Sequence, residues 1–227
     1  MPKLDKATLF YDSQCVFQDL SITFPKNQWT CLLGPSGCGK TSILRMLAGL
    51  DGAKQTQAVS YLTQQDSLFP WLTALDNAGL SLKLQGDKNW RDKSLAMLAS
   101  LGLADHTHKK PVALSGGMRQ RVALARVLLE DRPLILMDEP FSALDAITKQ
   151  QLMCLTSNRL RGKTVIWVTH DPLEALQLGH HIMVLSAAPA VLQAPIHLSG
   201  APLRKVNDPA VLAAYETILS QLAGESI

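Results

Sequence analysis

Residues 29 to 41 read WTCLLGPSGCGKT, five apolar or β-branched residues running straight into a glycine-rich turn. The turn, GPSGCGKT at 34 to 41, matches G-x-x-x-x-G-K-[ST]. Glycines at 34, 37 and 39 free the backbone to aim its N–H groups inward at phosphate oxygens. Gly34, Pro35, Ser36, Gly37, Cys38 and Gly39 are therefore read as the wall of an oxyanion cradle. Ser42 to Ala48 is expected as a helix stopping near Gly49, with its positive end on the same anion. Lys40 supplies a mobile charge for β- and γ-phosphates, and Thr41 offers a hydroxyl to Mg²⁺.

Two further runs repeat the grammar of the first. Leu134 to Met137 ends at Asp138, and Thr164 to Thr169 ends at His170. Near-continuous apolar runs suit strands buried on both faces of a parallel sheet. In open α/β sheets, ligands lie outside the carboxyl ends of the strands, so Gly34, Asp138 and His170 are expected on one rim. Two carboxylates leaving an apolar strand are costly without cationic partners. Asp138 is assigned to Mg²⁺ through water, and Glu139 to polarising the attacking water. His170 is placed against the γ-phosphate. No N-K-x-D guanine-reading motif occurs.

The flanks differ. Leu20, Ile22 and Phe24 alternate with Ser21 and Thr23, which predicts an antiparallel region over residues 3 to 24. Residues 73 to 130 read as helical, with Leu95, Leu98 and Leu101 at helical spacing and Gly86 and Gly102 as punctuation. A Pro-rich tail from Ala187 leads to a final helix from Pro209 to Leu222. The fold class is α/β: a P-loop NTPase (RecA-like) parallel-sheet core, an antiparallel β region and an inserted helical subdomain. One domain spans 1–227, with core residues 1–72 and 131–186, helical residues 73–130 and a C-terminal extension at 187–227.

The 227 residues carry a net charge of +3, too mild for a concentrated polyanion-binding face, so no nucleic acid is expected. Charged residues make up 18% and mean hydropathy is +0.08; a partner-covered surface or a large core accounts for both. Cys15, Cys31, Cys38 and Cys154 form no CxxC and are read as reduced thiols. The start carries Lys3, Asp5 and Lys6 and no apolar core, so no secretory signal is expected there, and no apolar stretch reaches the roughly 18 residues of a membrane span. His106 and His108 are read as solvated.

Residues 114 to 121 read LSGGMRQR. Ser115 is a good N-cap, and Met118, Val122, Ala125 and Leu129 keep helical period behind it. Gly116 and Gly117 expose N–H groups at that positive helix end, a second anion site 75 residues beyond Lys40. One ATP has one γ-phosphate. A second cradle is redundant in a monomer and makes sense if it closes on ATP held by another copy.

With these motifs in this order, the chain resembles the nucleotide-binding subunit of ATP-binding cassette (ABC) transporters over nearly its whole length. The resemblance rests on GPSGCGKT, Gln64, LSGGMRQR, LILMDEP at 134 to 140, Ser142-Ala143-Leu144-Asp145 and His170. It implies an ATPase that uses ATP and Mg²⁺ and pairs as a homodimer with integral-membrane permease subunits. A periplasmic or extracellular solute-binding protein would act indirectly, and the subunit would lie on the cytoplasmic face of the inner membrane. It further implies that Tyr11 stacks on adenine, that Gln64 links Mg²⁺ and the attacking water to the permease, and that Asp145 belongs to the nucleotide set. Leu68-Phe69-Pro70-Trp71-Leu72 is either helical core or the groove for a permease helix, and it is similar to the run in importers of nitrate, sulfonates, taurine and pyrimidine precursors. Only 23 residues separate Lys40 from Gln64, so the family's hairpin is expected trimmed to about Ala53 to Thr63. The rivals are a soluble cassette ATPase acting on nucleic acid or ribosomes and a P-loop small-molecule kinase; the kinase leaves LSGGMRQR unexplained.

Overall fold

The computed structural model describes residues 1–51 and 58–223. In chain order come β1 (Lys3–Tyr11), β2 (Gln14–Thr23), β3 (Trp29–Leu33), α1 (Lys40–Leu47), β4 (Val59–Leu62), α2 (Ala74–Ala78), α3 (Leu80–Leu84) and α4 (Trp90–Ser100). They are followed by α5 (Gly116–Leu129), β5 (Leu134–Asp138), α6 (Ala146–Arg159), β6 (Thr164–Val168), α7 (Pro172–Leu178), β7 (His181–Val184), β8 (Ile196–His197) and α8 (Pro209–Ala223). The chain divides into two compact units, one of residues 1–59, 133–139 and 161–227, the other of 60–132 and 140–160.

The first unit is built on a sheet ordered β5-β6-β3-β7-β8. Every residue of β3, β5 and β6 is buried, as their apolar composition requires of central strands. Trp29 and Trp167 meet edge-to-face across β3 and β6, with ring centroids 5.5 Å apart. The parallel registers pair Leu32 with Val168 and Asp138 with Val168. Gly34, Glu139 and His170 thus leave the same edge of the sheet, the rim anticipated from the three runs. β7 adds in parallel on the other side of β3, and β8 pairs antiparallel to it. This strand is not among the runs read from sequence, because its four residues lie inside an apolar stretch broken at Pro189 and Pro195.

β1 and β2 form a separate two-stranded antiparallel sheet. Leu20, Ile22 and Phe24 are buried while Ser21 and Thr23 are exposed, so the alternation is obeyed. α1 ends in a Schellman motif: Leu50 N–H donates to the Arg45 carbonyl and Gly49 N–H to the Met46 carbonyl, both at 3.0 Å, with Gly49 at φ +73°. In the tail, Asp208 caps α8 through the Ala210 N–H at 2.9 Å, and Val211, Ala214 and Ile218 form its buried face. Arg204 fastens the segment before that helix. Its Nε donates to the Ser199 carbonyl, Nη1 to those of Leu176 and Gly179, and Nη2 to those of Leu198 and Gly200, at 2.8–3.2 Å. Burial beside these carbonyls lowers the Arg204 pKa from its ordinary value.

The second unit is helical through α2 to α5, with α6 grouped in the same unit. Val122, Ala123, Leu124, Ala125, Val127 and Leu128 of α5 are buried. On α4 that spacing does not mark the buried face throughout. Met97 and Leu98 are buried, with Leu101 just beyond, whereas Leu95 is 38% exposed. Leu95 lies three residues before Leu98, but the buried stripe passes through Ser94 instead. His106 is also corrected: it ends a 3₁₀ turn at Ala104–His106, and its Nδ1 is buried without a hydrogen-bond partner among the described residues, whereas His108 is exposed. Of the expected hairpin at 53 to 63, residues 53–57 lie outside the described residues, and the remainder contains β4.

The apolar run at 68 to 72 is not core throughout. Phe69 and Trp71 are exposed, Trp71 at 66%. The loop is held from beneath by the fully buried Asn77. Phe69 N–H donates to Asn77 Oδ1 at 2.8 Å, and Asn77 Nδ2 donates to the carbonyls of Phe69, Leu72 and Thr73. Arg126 Nη2 donates to Asn77 Oδ1 at 2.7 Å, Nη1 reaches the Ser67 carbonyl, and the guanidinium lies 5.6 Å over the Phe69 ring. A buried network therefore shapes a surface that displays two aromatic rings.

Candidate functional site

The GPSGCGKT loop joins β3 to α1 in the first unit. Gly39 is the N-cap of α1 at φ +92°, and no side chain caps that end, so the first-turn N–H groups are left for a ligand. A Cβ at Gly39 would stand 2.8 Å from Phe17 and 2.9 Å from Val16, which excludes any side chain there. Gly37 is also left-handed, at φ +81°, but faces open space; only the backbone angle demands glycine. Pro35, Ser36 and Gly37 are exposed, while the Cys38 side chain points into the protein at 1% exposure. Lys40 is buried. Its Nζ donates to the carbonyls of Gly34 at 2.8 Å and Pro35 at 2.7 Å, so the loop's own backbone satisfies the ammonium.

Thr41 and Ser42 open α1. The Thr41 hydroxyl donates to Asp138, the last residue of β5, which is 2% exposed. Asp138 Oδ2 is buried with no hydrogen-bond partner among the described residues. Burial is the main reason its pKa is raised above the ordinary carboxylate value, and the Thr41 bond opposes the shift. A hydroxyl and an orphaned carboxylate oxygen are hard donors of the kind Mg²⁺ takes, so the residues fit the ion.

This geometry gives a prediction. A raised folded pKa means that Asp138 contributes stability at pH below the ordinary carboxylate range, and that contribution is lost as pH rises through the raised value. Asp138→Asn removes the buried charge. Without ligand, the variant should melt higher at neutral pH, on the scale of about 2–4 °C for each kcal/mol gained, with the gap closing in acid. Differential scanning fluorimetry across pH measures it; a lower melting temperature at pH 7 would refute it.

Glu139 follows immediately, in the left-handed region at φ +49°. A non-glycine residue there costs about 1–3 kcal/mol and is held only by its surroundings. Its N–H donates to the Val168 carbonyl at 2.9 Å, tying it to the neighbouring strand. Glu139 Oε1 lies 3.2 Å from His170 Nδ1. His170 stands on the turn from β6 to α7. Asp171 caps α7 through the Leu173 N–H at 2.9 Å, with Pro172 at the first helical position. Thr169 accepts from the Asp171 N–H and donates to the buried Glu174 at 2.7 Å. Thr169, Asp171 and Glu174 were absent from the sequence assignments. Asp171-Pro172 is a legible capping signal, but nothing local marks Glu174 as the buried acceptor. Tyr11 is an exposed residue at the end of β1.

Gln64, Ser115, Gly116, Gly117 and Asp145 lie in the second unit. Ser115 caps α5, its hydroxyl accepting from the Met118 N–H at 3.3 Å, and both Ser115 and Gly116 are exposed. Asp145 caps α6 in the same way through the Thr148 N–H at 3.0 Å, a bond that lowers the carboxyl pKa. Gln64 and Gly116 line one cavity of about 480 Å³ together with Asp66, Arg119, Gln120 and Ala143. A Cβ on Gly117 would lie 3.0 Å from the Ala143 carbonyl, so this helix end packs tightly on the turn that leads to Asp145.

Comparison with known proteins agrees with the geometry. The ABC transporter family profile matches residues 17–142. An uncharacterised ABC transporter ATP-binding protein of Haemophilus influenzae is 38% identical, over 99% of this chain and 100% of its own length. The aliphatic sulfonates import ATP-binding protein SsuB of Pectobacterium atrosepticum is 39% identical, over 80% of this chain and 73% of its own. Among solved structures, the ATP-binding cassette MJ0796 in a dimeric post-hydrolysis state bound to ADP and Pi superposes with a TM-score of 0.78 at 29% identity, covering 88% of this chain and 100% of that one. A second dimeric MJ0796 structure, described as a bacterial ABC transporter cassette, gives 0.79 at 28% identity with the same coverage.

Proposed function

This chain belongs to the ABC transporter family, and on that premise we propose that it is the ATP-hydrolysing subunit that powers transport of a small solute, by import, through a separate membrane permease. The observation that carries the reading is the presence of two helix N-termini that both suit an anion. The α1 end, with its glycine cradle and Lys40, takes the triphosphate. The α5 end, with Ser115, Gly116 and Gly117, takes the same γ-phosphate from a second copy. The dimeric MJ0796 cassettes support a pairing of this kind.

Two copies pair head to tail. ATP held by residues 34 to 42 of one copy meets residues 115 to 117 of the other. Contacts made only in the closed pair shift the open/closed equilibrium, since a ligand shifts it only through differential affinity. Closure excludes water and aims fixed dipoles at the charge that develops in phosphoryl transfer. Glu139 accepts the proton of the attacking water. His170, oriented through its 3.2 Å contact with Glu139, faces the γ-phosphate. Thr41 and Asp138 would hold Mg²⁺, and the ion supplies charge neutralisation for the transferring group. Tyr11 stacks on adenine, Gln64 would link the Mg²⁺ site and the attacking water to the permease, and Asp145 belongs to the nucleotide set. The displayed Phe69 and Trp71 receive a permease helix.

Within this reading, residues 1–72 and 131–186 are the nucleotide-binding core, 73–130 the helical subdomain and 187–227 the C-terminal extension. No described helix is long and apolar enough to cross a membrane. The subunit is placed peripherally on the cytoplasmic face of the inner membrane, where its permease and, indirectly, a solute-binding protein complete the system.

The purified chain should convert ATP to ADP and free phosphate without a phosphoryl acceptor, and specific activity should rise with protein concentration as dimers populate. No free phosphate without an acceptor, and a phosphorylated product once small-molecule acceptors are supplied, would identify a kinase instead.

A further inference from the structure

Arg119 has a double engagement within the second unit. It lies one turn beyond the Ser115 cap of α5. Its Nη1 donates to the Leu114 carbonyl, the residue before the cap, at 3.0 Å. Its Nε donates to Asp66 Oδ2 at 2.7 Å. Asp66 is two residues past Gln64 and is further shaped by the Leu68 N–H, 3.4 Å from Oδ1. The next residue, Gln120, accepts from the Ala143 N–H at 3.3 Å, on the turn leading to Asp145. One helical turn thus grips both the 64–66 loop and the turn at Ala143, around a cavity lined by Gln64, Asp66, Arg119, Gln120, Ser142 and Ala143.

We infer that Arg119 is a positioning residue whose bond to Asp66 ties the Gln64 loop to the α5 N-terminus, so that a displacement at Gln64 is delivered to the Ser115–Gly117 cradle. This rests on the closing-dimer reading above and adds the link that carries the motion. Arg119 has a fork of donors that addresses both partners at once; a single-point cation would have to choose. Two other guanidiniums stand on α5: Arg121 donates to the carbonyls of Gly117 and Leu101, and Arg126, which also feels the charge of Asp66, spends its hydrogen bonds on Asn77 and the Ser67 carbonyl. Both members of the Arg119–Asp66 pair are partly exposed. Their bond therefore adds little to global stability, and its loss should register in coupling rather than in melting.

The test uses the full chain carrying Glu139→Gln, which holds ATP. The readouts are ATP-driven dimer formation by light scattering and fluorescent ATP binding at concentrations below dimerisation. Arg119→Met and Asp66→Asn should each weaken dimerisation about five- to tenfold, with monomer ATP binding unchanged. The double variant should be no worse than either single, the signature of one shared interaction. The swap Asp66→Arg with Arg119→Asp should recover dimerisation toward the parent. Raising salt to about 0.5 M should narrow the gap between parent and Arg119→Met, because an exposed ion pair is screened. Dimerisation of Arg119→Met equal to the parent, or single losses that multiply in the double, would overturn the inference. A parent that binds ATP without dimerising would bring down the closing-dimer reading and this link with it. If Arg119→Met does not fold, the swap decides: a folded swap that dimerises supports the link, and one that stays monomeric overturns it.

Discussion

Glu139→Gln is expected to bind ATP as tightly as the parent while losing about 10²- to 10⁴-fold in turnover, the usual contribution of a positioned general base. Glutamine keeps the size of the side chain and an oxygen for the 3.2 Å contact with His170, so the neighbourhood is preserved. It cannot take a proton. The phosphate cradle is untouched, because residues 34 to 42 reach the nucleotide through backbone N–H groups and Lys40. With binding intact and hydrolysis stopped, the closed ATP-bound dimer should accumulate. Fluorescent ATP titration, phosphate release and light scattering measure the three quantities separately. Turnover near the parent's would transfer the base role from Glu139 to another group.

Ser115→Arg should abolish ATP-driven dimerisation while sparing nucleotide binding to the monomer. Ser115 is exposed at the α5 N-terminus, where unpaired N–H groups already make a positive end. A guanidinium there is repelled by that end and must be desolvated as the copies close. An uncompensated charge at a closing surface costs about 3–5 kcal/mol, equivalent to roughly 150- to 4,000-fold in dimer affinity. The substitution also removes the cap on Met118 N–H, worth about 1 kcal/mol. Ser115→Ala removes the cap alone and should therefore melt lower yet still dimerise, which separates the two effects. Unchanged ATP-driven dimer formation in the Arg variant, seen by light scattering, would exclude Ser115 from the closing face.

Much of this architecture was legible because its causes are local. WTCLL, LILMD and TVIWV have the length and the apolar composition of buried strands, and GPSGCGKT carries its glycines where positive φ and close approach demand them. Ser115 and Pro209 announce helix starts through their own chemistry. What escaped reading depends on partners distant in sequence. Glu139 is recognisable as a carboxylate after a strand, but its left-handed backbone is imposed by Val168 across the sheet. Asn77 reads as an ordinary polar helix residue until it is found buried under the 67–73 loop. Leu95 and His106 show the converse error: helical spacing and polar company do not fix the direction of the buried stripe or the exposure of one ring nitrogen. Arg119 is plain as part of LSGGMRQR, yet its bond to Asp66 spans 53 positions.

The grip of Arg204 on the C-terminal segment has a consequence for redesign. Among the described residues its hydrogen bonds go to main-chain oxygens, at Leu176, Gly179, Leu198, Ser199 and Gly200. Such a clasp reads the path of the chain and ignores which side chains decorate it. An appendage of different composition could be grafted after residue 204 and still fasten to the ATPase chassis, provided that it enters along the same backbone course and keeps the one guanidinium.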